Sequence, residues 1–252
     1  MRTSNPALSD KAFAQTDVIR RTGGPITGDT GAMTVKGTVN KTALMLGILV
    51  LTAGWTWMQA MAGVNVSMWL MFGAIGGFVV AMFTIFKKDM APITAPLYAA
   101  LEGLVLGGVS AVFEVQYHGI VIQAVGLTFG VLAALLLVYQ SGLIKVTDNF
   151  RMGLLAATGG IALVYLASFV MGFFGIHFSF LYDSSPMSIG ISVFVVIIAA
   201  LNLVLDFDFI ERGAAQGAPR YMEWYGAFGL MVTLVWLYLE ILRLLAKTQR
   251  RN

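Results

Sequence analysis

The sequence predicts an all-α integral membrane protein, a bundle of seven transmembrane helices, on three observations. Hydrophobic residues make up 58% of the chain and charged residues 12%, where a soluble domain carries charge on about a quarter of its residues; mean hydropathy is +0.81. Beyond residue 41 seven apolar runs follow one another, each near the roughly 20 residues a helix needs to cross a bilayer. Lysine and arginine gather on alternate connections between those runs, the asymmetry that orients membrane proteins.

Taken in order, residues 1–41 are polar, rich in Ser, Thr, Gly and Asn, with no apolar stretch of signal-peptide length. They read as a flexible cytoplasmic tail, in which Arg20, Arg21, Lys36 and Lys41 act as topology determinants or touch anionic headgroups. The spans are Thr42–Gly63, Met68–Phe86, Ala91–Phe113, Gly119–Tyr139, Met152–Ile176, Ser188–Phe207 and Gly226–Ala246. Connections are short, so residues 42–246 form one helical domain, followed by a short basic tail, 247–252. Pro92 and Pro96 open the third run, where a missing amide hydrogen matters least. The pairs Gly76-Gly77, Gly107-Gly108 and Gly159-Gly160 are expected at close helix contacts, because small side chains let dispersion contacts accumulate. The longest link, Asp208 to Tyr225, contains Gly213, Gly217 and Pro219 and is expected to break the helix.

The tail and the second, fourth and sixth connections hold twelve basic residues: Arg2, Lys11, Arg20, Arg21, Lys36, Lys41, Lys87, Lys88, Lys145, Arg151, Arg212 and Arg220. The first, third and fifth connections hold none. The N-terminus and even connections are therefore expected in the cytoplasm. Arg243, Lys247, Arg250 and Arg251 follow the last run and lie outside if it spans fully, inside if it is re-entrant. A full span is favoured, since 21 residues suffice. The net charge of +3 and pI of 9.2 then describe topology rather than nucleic-acid binding. No cysteine is present, which excludes disulfides, thiolate metal sites and cysteine nucleophiles. An intramembrane serine protease would need a histidine at the depth of Ser110 or Ser168, but His118 and His177 fall at outer connections. A retinal protein would need a lysine within a late span, and none precedes Lys247. Two related halves, usual in secondary transporters, are not visible. Neither enzymatic activity nor a bound cofactor is expected.

Acids at membrane depth are the candidate site. Each costs about 2.5 to 3.5 kcal/mol on insertion scales, so each needs a partner charge, a cavity or a function. Glu102 lies eleven residues into its run and reads as a protonated packing residue or an additional ion or proton site. Asp206 and Asp208 close the sixth run, where they meet water or a partner. Glu240 in the seventh can bond Arg243, three residues on along one face. Alternatively it meets Asp206: two close carboxylates do not both ionise readily, and ionised they attract a hard cation such as calcium through oxygen ligands. Convergence requires that the seventh helix start later than Gly226, or that the sixth tilt or break.

At these residues the chain resembles the bacterial branch of the Bax inhibitor, or transmembrane Bax-inhibitor-motif, family. The resemblance is carried by Leu205-Asp206, by Leu237-Tyr238-Leu239-Glu240-Ile241 and by Glu102-Gly103, and covers all seven spans. Arg2 to Ala7 and Glu223-Trp224-Tyr225-Gly226 are similar to a bacterial subgroup. It implies a last helix wrapped by the other six and a proton-sensitive calcium leak, in which an Asp ending the sixth span pairs with an acid in the seventh. Asp206, or Asp208, corresponds to the first and Glu240 to the second, with Glu where the pattern has Asp. The pair would be the gate and a transient calcium site, with Asp208, Glu102 and Arg243 as additional ion or proton positions. The second span has neither acid nor arginine, so the further acid-and-arginine latch of such members has no counterpart there. The rival reading is a non-conducting partner of a membrane-bound protease or of a stress pathway, docking through the basic tail and the Asp208 to Tyr225 link.

Overall fold

The computed structural model describes residues 31–144, 146–176, 178, 181 and 183–251. The tail read as flexible, up to residue 30, lies outside the described residues, as do Lys145 and His177. Seven long helices run through the described chain: α1 Val35–Met61, α2 Ser67–Phe86, α3 Ala91–Gln116, α4 Ile120–Gln140, α5 Asp148–Phe173, α6 Pro186–Ala215 and α7 Tyr221–Arg251. All seven are long and apolar enough to cross a membrane. This is a multi-pass, all-α membrane protein.

Several helices outrun their apolar runs, because hydropathy reports hydrocarbon depth while a helix continues until a cap ends it. α1 begins seven residues before Thr42, where the Thr34 hydroxyl accepts from the Gly37 amide at 2.9 Å. α5 starts behind Thr147 and α6 behind Ser185, each accepting from an amide in the first turn. The stretch from Asp208 to Tyr225, expected to interrupt the helix, is mostly helical: α6 continues to Ala215 and α7 starts at Tyr221. Only residues 216–220 form the link. Gly217 turns it with φ +67°, a conformation that suits glycine. Pro92 sits in the first turn of α3, whereas Pro96 lies one turn further in, within the helix.

The seventh helix is the axis. It packs against α1, α3, α4 and α6, while α2 lies on α3 and α5 on α6 as outer helices. Of its apolar window 61% is buried, against 11% in α5. Met231, Leu234, Val235, Leu237, Ile241 and Leu242 form the middle of the core. α1 and α3 meet where glycine removes the side chain: a β-carbon at Gly107 would stand 2.2 Å from the Ala53 carbonyl oxygen, and one at Gly103 2.5 Å from that of Leu49. Gly77 and Gly108 also face neighbours. Gly159 and Gly160 do not, since nothing lies within 4 Å of a β-carbon there; α5 touches its neighbours with a different stripe. Large apolar side chains such as Phe72, Phe78, Phe169 and Phe173 are exposed and face the bilayer.

α7 is continuous from Tyr221 to Arg251, about 46 Å at 1.5 Å per residue, so the last run does not turn back. Its far end reaches the fifth connection, where Lys247 donates to the Leu181 carbonyl at 2.7 Å. Its near end closes onto the start of α1. The Met33 amide donates to the Ala218 carbonyl at 2.7 Å. The buried Glu223 carboxylate accepts from the Thr34 amide and hydroxyl, both at 2.9 Å, and from Lys41. A carboxylate so placed complements the positive end of the helix.

Candidate functional site

Acidic side chains mark three levels along α6 and α7. At the face carrying the start of α1, the last turns of α6 bring Asp208 and Arg212 together at i and i+4. Arg212 Nε donates to Asp208 Oδ1 at 2.8 Å, and Arg151 Nη2, from the start of α5, donates to Oδ2 at 2.6 Å. Arg212 also donates to the Val146 carbonyl at 3.3 Å. Asp208 thus ties α5 and its preceding loop to α6. It lines a groove of 850 Å³ whose wall also includes Thr38, Thr42, Tyr139, Glu211 and Leu230. Tyr139 donates to Glu211 at its rim.

Deeper in the bundle, Asp206 faces α7. A β-carbon on Gly229 would lie 3.7 Å from Asp206 Oδ1, an ordinary contact distance, so the carboxylate stands beside this turn of α7. Thr233, one turn on, is its neighbour, with a hydroxyl that donates to the Gly229 carbonyl at 3.2 Å. Asp206 Oδ2 is enclosed and has no protein partner among the described residues. A buried polar atom in that condition is rare and calls for an explanation.

Further along α7, the spacing 236, 240, 243 sets Trp236, Glu240 and Arg243 on one stripe. Glu240 is 2% exposed. Trp236 Nε1 donates to its Oε1 at 3.3 Å. The Tyr165 hydroxyl, from α5, lies 3.0 and 3.1 Å from the two carboxylate oxygens. Arg243 Nη1 lies 3.0 and 3.2 Å from the same oxygens and donates to the Tyr165 oxygen at 2.9 Å. Its guanidinium stands 5.3 Å from the centre of the Tyr165 ring. The Glu240 charge is met by a cation and its lone pairs by donors, which is what burial of an ion requires.

The bond to Arg243, one of the two readings of Glu240, is present. No hydrogen bond or ion pair joins Asp206 to Glu240 among the described residues. Their levels on α7, Gly229 to Thr233 and Glu240, differ by about 10 to 16 Å at 1.5 Å per residue. α7 starts earlier than Gly226 and α6 runs unbroken to Ala215, so neither a late start of the seventh helix nor a break in the sixth brings the acids level. Glu102 is half-buried in the seam between α3 and α2, where a β-carbon on Gly77 would lie 3.1 Å from its Oε2. Tyr165, Arg151 and Trp236 were not singled out by the sequence. Trp236 at i−4 from Glu240 carried a local signal, whereas the partners on α5 carried none. Among the described residues no three acids or histidines gather into a set that would hold a resident metal ion.

The profile of a family described as Bax inhibitor 1 like matches residues 5–250. No curated protein and no solved structure is similar enough to the chain to match it. With the match spanning nearly all of the sequence, including all seven helices, the chain belongs to the Bax inhibitor 1 like family of membrane proteins.

Proposed function

We propose that this protein is a proton-responsive cation leak of the bacterial plasma membrane, with calcium as the permeant ion that its oxygen groups suit. The observation that carries this reading is Asp206: a carboxylate with an enclosed, unpartnered oxygen, lying between two carboxylates that arginines already neutralise. Asp208 with Arg151 and Arg212 closes one end of the α6–α7 seam, and Glu240 with Arg243 and Tyr165 closes the other. In this closed form an ion reaches Asp206 only after one of those clusters opens. Oxygen ligands and negative charge fit a hard divalent cation, and protonation removes that charge. Asp206 and Glu240 remain the gate positions, acting in sequence along the seam. Glu102 in the α2–α3 seam is a position apart from it. The twelve basic residues on the tail and even connections, against none on the odd ones, support an N-terminus in the cytoplasm. No enzymatic activity or cofactor belongs to this reading.

The experiment is calcium flux into dye-loaded liposomes holding the purified chain, scanned from about pH 8 to pH 6 to bracket the neutral range, with Asp206→Asn and Glu240→Gln beside the parent. Flux that depends on pH in the parent and loses that dependence in Asp206→Asn is the expected result. A folded parent that passes no calcium at any pH would sink the proposal. One observation favours a second reading: Asp208 and Glu240 are both already paired with arginine. On that reading the acids hold the bundle together, and the protein is a non-conducting regulator of a membrane-bound protease or a stress pathway. Co-purification with a protease that depends on the link at residues 216–220 would mark that outcome.

A further inference from the structure

We propose that the end of the bundle carrying the C-terminus holds a binding site for a phosphate-bearing anion. Its residues are Arg243, Lys247 and Arg250 of α7 with Gln116, Tyr117 and Ser184 opposite them, and together they line a cavity of 350 Å³. Steps of four and three residues put the three cations on one stripe of the helix.

Lys247 is the centre of the argument. It is 6% exposed, and its ammonium donates to the Leu181 carbonyl at 2.7 Å, to Ser192 Oγ at 2.8 Å and to the Ser188 carbonyl at 3.5 Å. All three acceptors are neutral, and the carboxylates of Glu240 and Asp183 act on the ammonium through space, without a contact. The acids at this end make their direct contacts elsewhere. Glu240 holds Arg243. Glu114 accepts from the amides of Gly119 and Val121 at the start of α4, at 2.6 and 3.1 Å. Asp183 accepts from the Ser185 hydroxyl and amide. On the cavity wall, Ser184 Oγ is enclosed and has no protein partner among the described residues.

An ammonium that touches no carboxylate, a hydroxyl without a partner and two guanidiniums on one cavity suit a tetrahedral oxyanion. Arginine presents its N–H groups as a fork that matches phosphate, and lysine adds a point charge. The negative end of the α7 dipole accounts for basic residues in the last turn. It does not account for Lys247, whose ammonium turns away from that end toward the first turns of α6. A lipid headgroup at this surface and free phosphate offer the same chemistry, and the site does not depend on whether the protein conducts ions.

The test uses the full chain in phosphatidylcholine nanodiscs, titrated with inorganic phosphate against chloride of equal ionic strength, with thermal unfolding as the readout. Parallel discs carry phosphatidylglycerol in place of part of the phosphatidylcholine. Arg250→Gln and Lys247→Gln are measured beside the parent; Arg250 is exposed, so its replacement leaves the fold intact even where loss of Lys247 does not. Stabilisation by phosphate in the neutral discs identifies a free anion, and stabilisation confined to the phosphatidylglycerol discs identifies a headgroup. In either case Arg250→Gln weakens the effect about tenfold, as loss of one charge-assisted contact predicts. Absence of stabilisation under both conditions, or equal stabilisation of parent and Arg250→Gln, overturns the proposal.

Discussion

Replacing Gly37 by alanine is expected to destabilise the protein, against the sign that helix propensity gives. Alanine in place of glycine inside a helix is worth about 1 kcal/mol of added stability. At position 37, however, the new β-carbon would stand 2.1 Å from Glu223 Oε1, 2.3 Å from Cδ and 2.5 Å from Oε2. The far end of a flexible side chain gives way before the backbone does, so the carboxylate leaves its seat. In leaving it loses the Thr34 amide, the Thr34 hydroxyl and Lys41, of which a single hydrogen bond to a charged group is worth about 1.5 to 3 kcal/mol. Water restores part of that to Lys41, whose side chain is 15% exposed. Taking about 4 kcal/mol for the whole set and subtracting the propensity gain leaves a net loss of about 3 kcal/mol. Unfolding of the detergent-solubilised protein, followed by denaturant or temperature, measures it. In a Glu223→Ala background the same Gly37→Ala change has nothing to displace and should stabilise by about 1 kcal/mol, a coupling that a double-mutant cycle isolates. If Gly37→Ala alone leaves the protein as stable as the parent or more so, Glu223 is not seated on the first turn of α1 and the reasoning fails.

The other glycines sort by what stands opposite them. Gly107→Ala meets the Ala53 backbone at 2.2 Å, which cannot swing aside, and should cost about 3 kcal/mol, whereas Gly160→Ala meets nothing and should be neutral or gain up to about 1 kcal/mol in the same unfolding assay. Removing Asp208 with alanine leaves two arginines that reach water and should cost about 2 kcal/mol; Arg151→Ala, which leaves Arg212 in place, should cost about 1 kcal/mol or less, and a reversal of that order would show that Asp208 does not join the two. The Ser185 hydroxyl donates to Asp183 at 2.9 Å and holds its carboxyl below the usual aspartate range. A folded-state value below the unfolded one contributes stability that is present above the unfolded value and is lost as pH falls through the folded one, so this contact fades on acidification and persists at neutral pH. Ser185→Ala should move the Asp183 titration upward, as read by NMR of a carboxyl-labelled sample, and an unmoved titration would refute the assignment.

Hydropathy located all seven spans because crossing hydrocarbon imposes a length on every apolar run, whatever its neighbours. It did not locate their ends, since Asp208 to Ala215 and Val35 to Lys41 are helical while lying beyond the apolar layer. The Glu240 to Arg243 contact was readable because both residues belong to one helix face. Tyr165 and Arg151 were not, since a partner on another helix leaves no mark at a fixed spacing. Gly107 and Gly160 look alike in the sequence and differ in the fold. A glycine permits a close approach but does not summon a neighbour, and α5 has its packed stripe elsewhere. The level at which Asp206 meets α7 was likewise hidden, because it depends on where two antiparallel helices begin, and both begin before their apolar runs.

The central place of α7 has a consequence for how the protein is made. Ribosomes deliver helices in order, so the six other spans leave the insertion machinery before the one that fills the middle. Until then Ser110 lacks the Tyr238 oxygen that stands 2.6 Å away, Tyr165 lacks Glu240, Lys247 is absent from its seat, and the first turn of α1 waits for Glu223. Polar side chains inside a bilayer are thus left open throughout synthesis and are closed together by the final helix. Insertion of α7 is what fills the centre, and a nascent protein halted before α7 would present to membrane quality control a bundle with no centre.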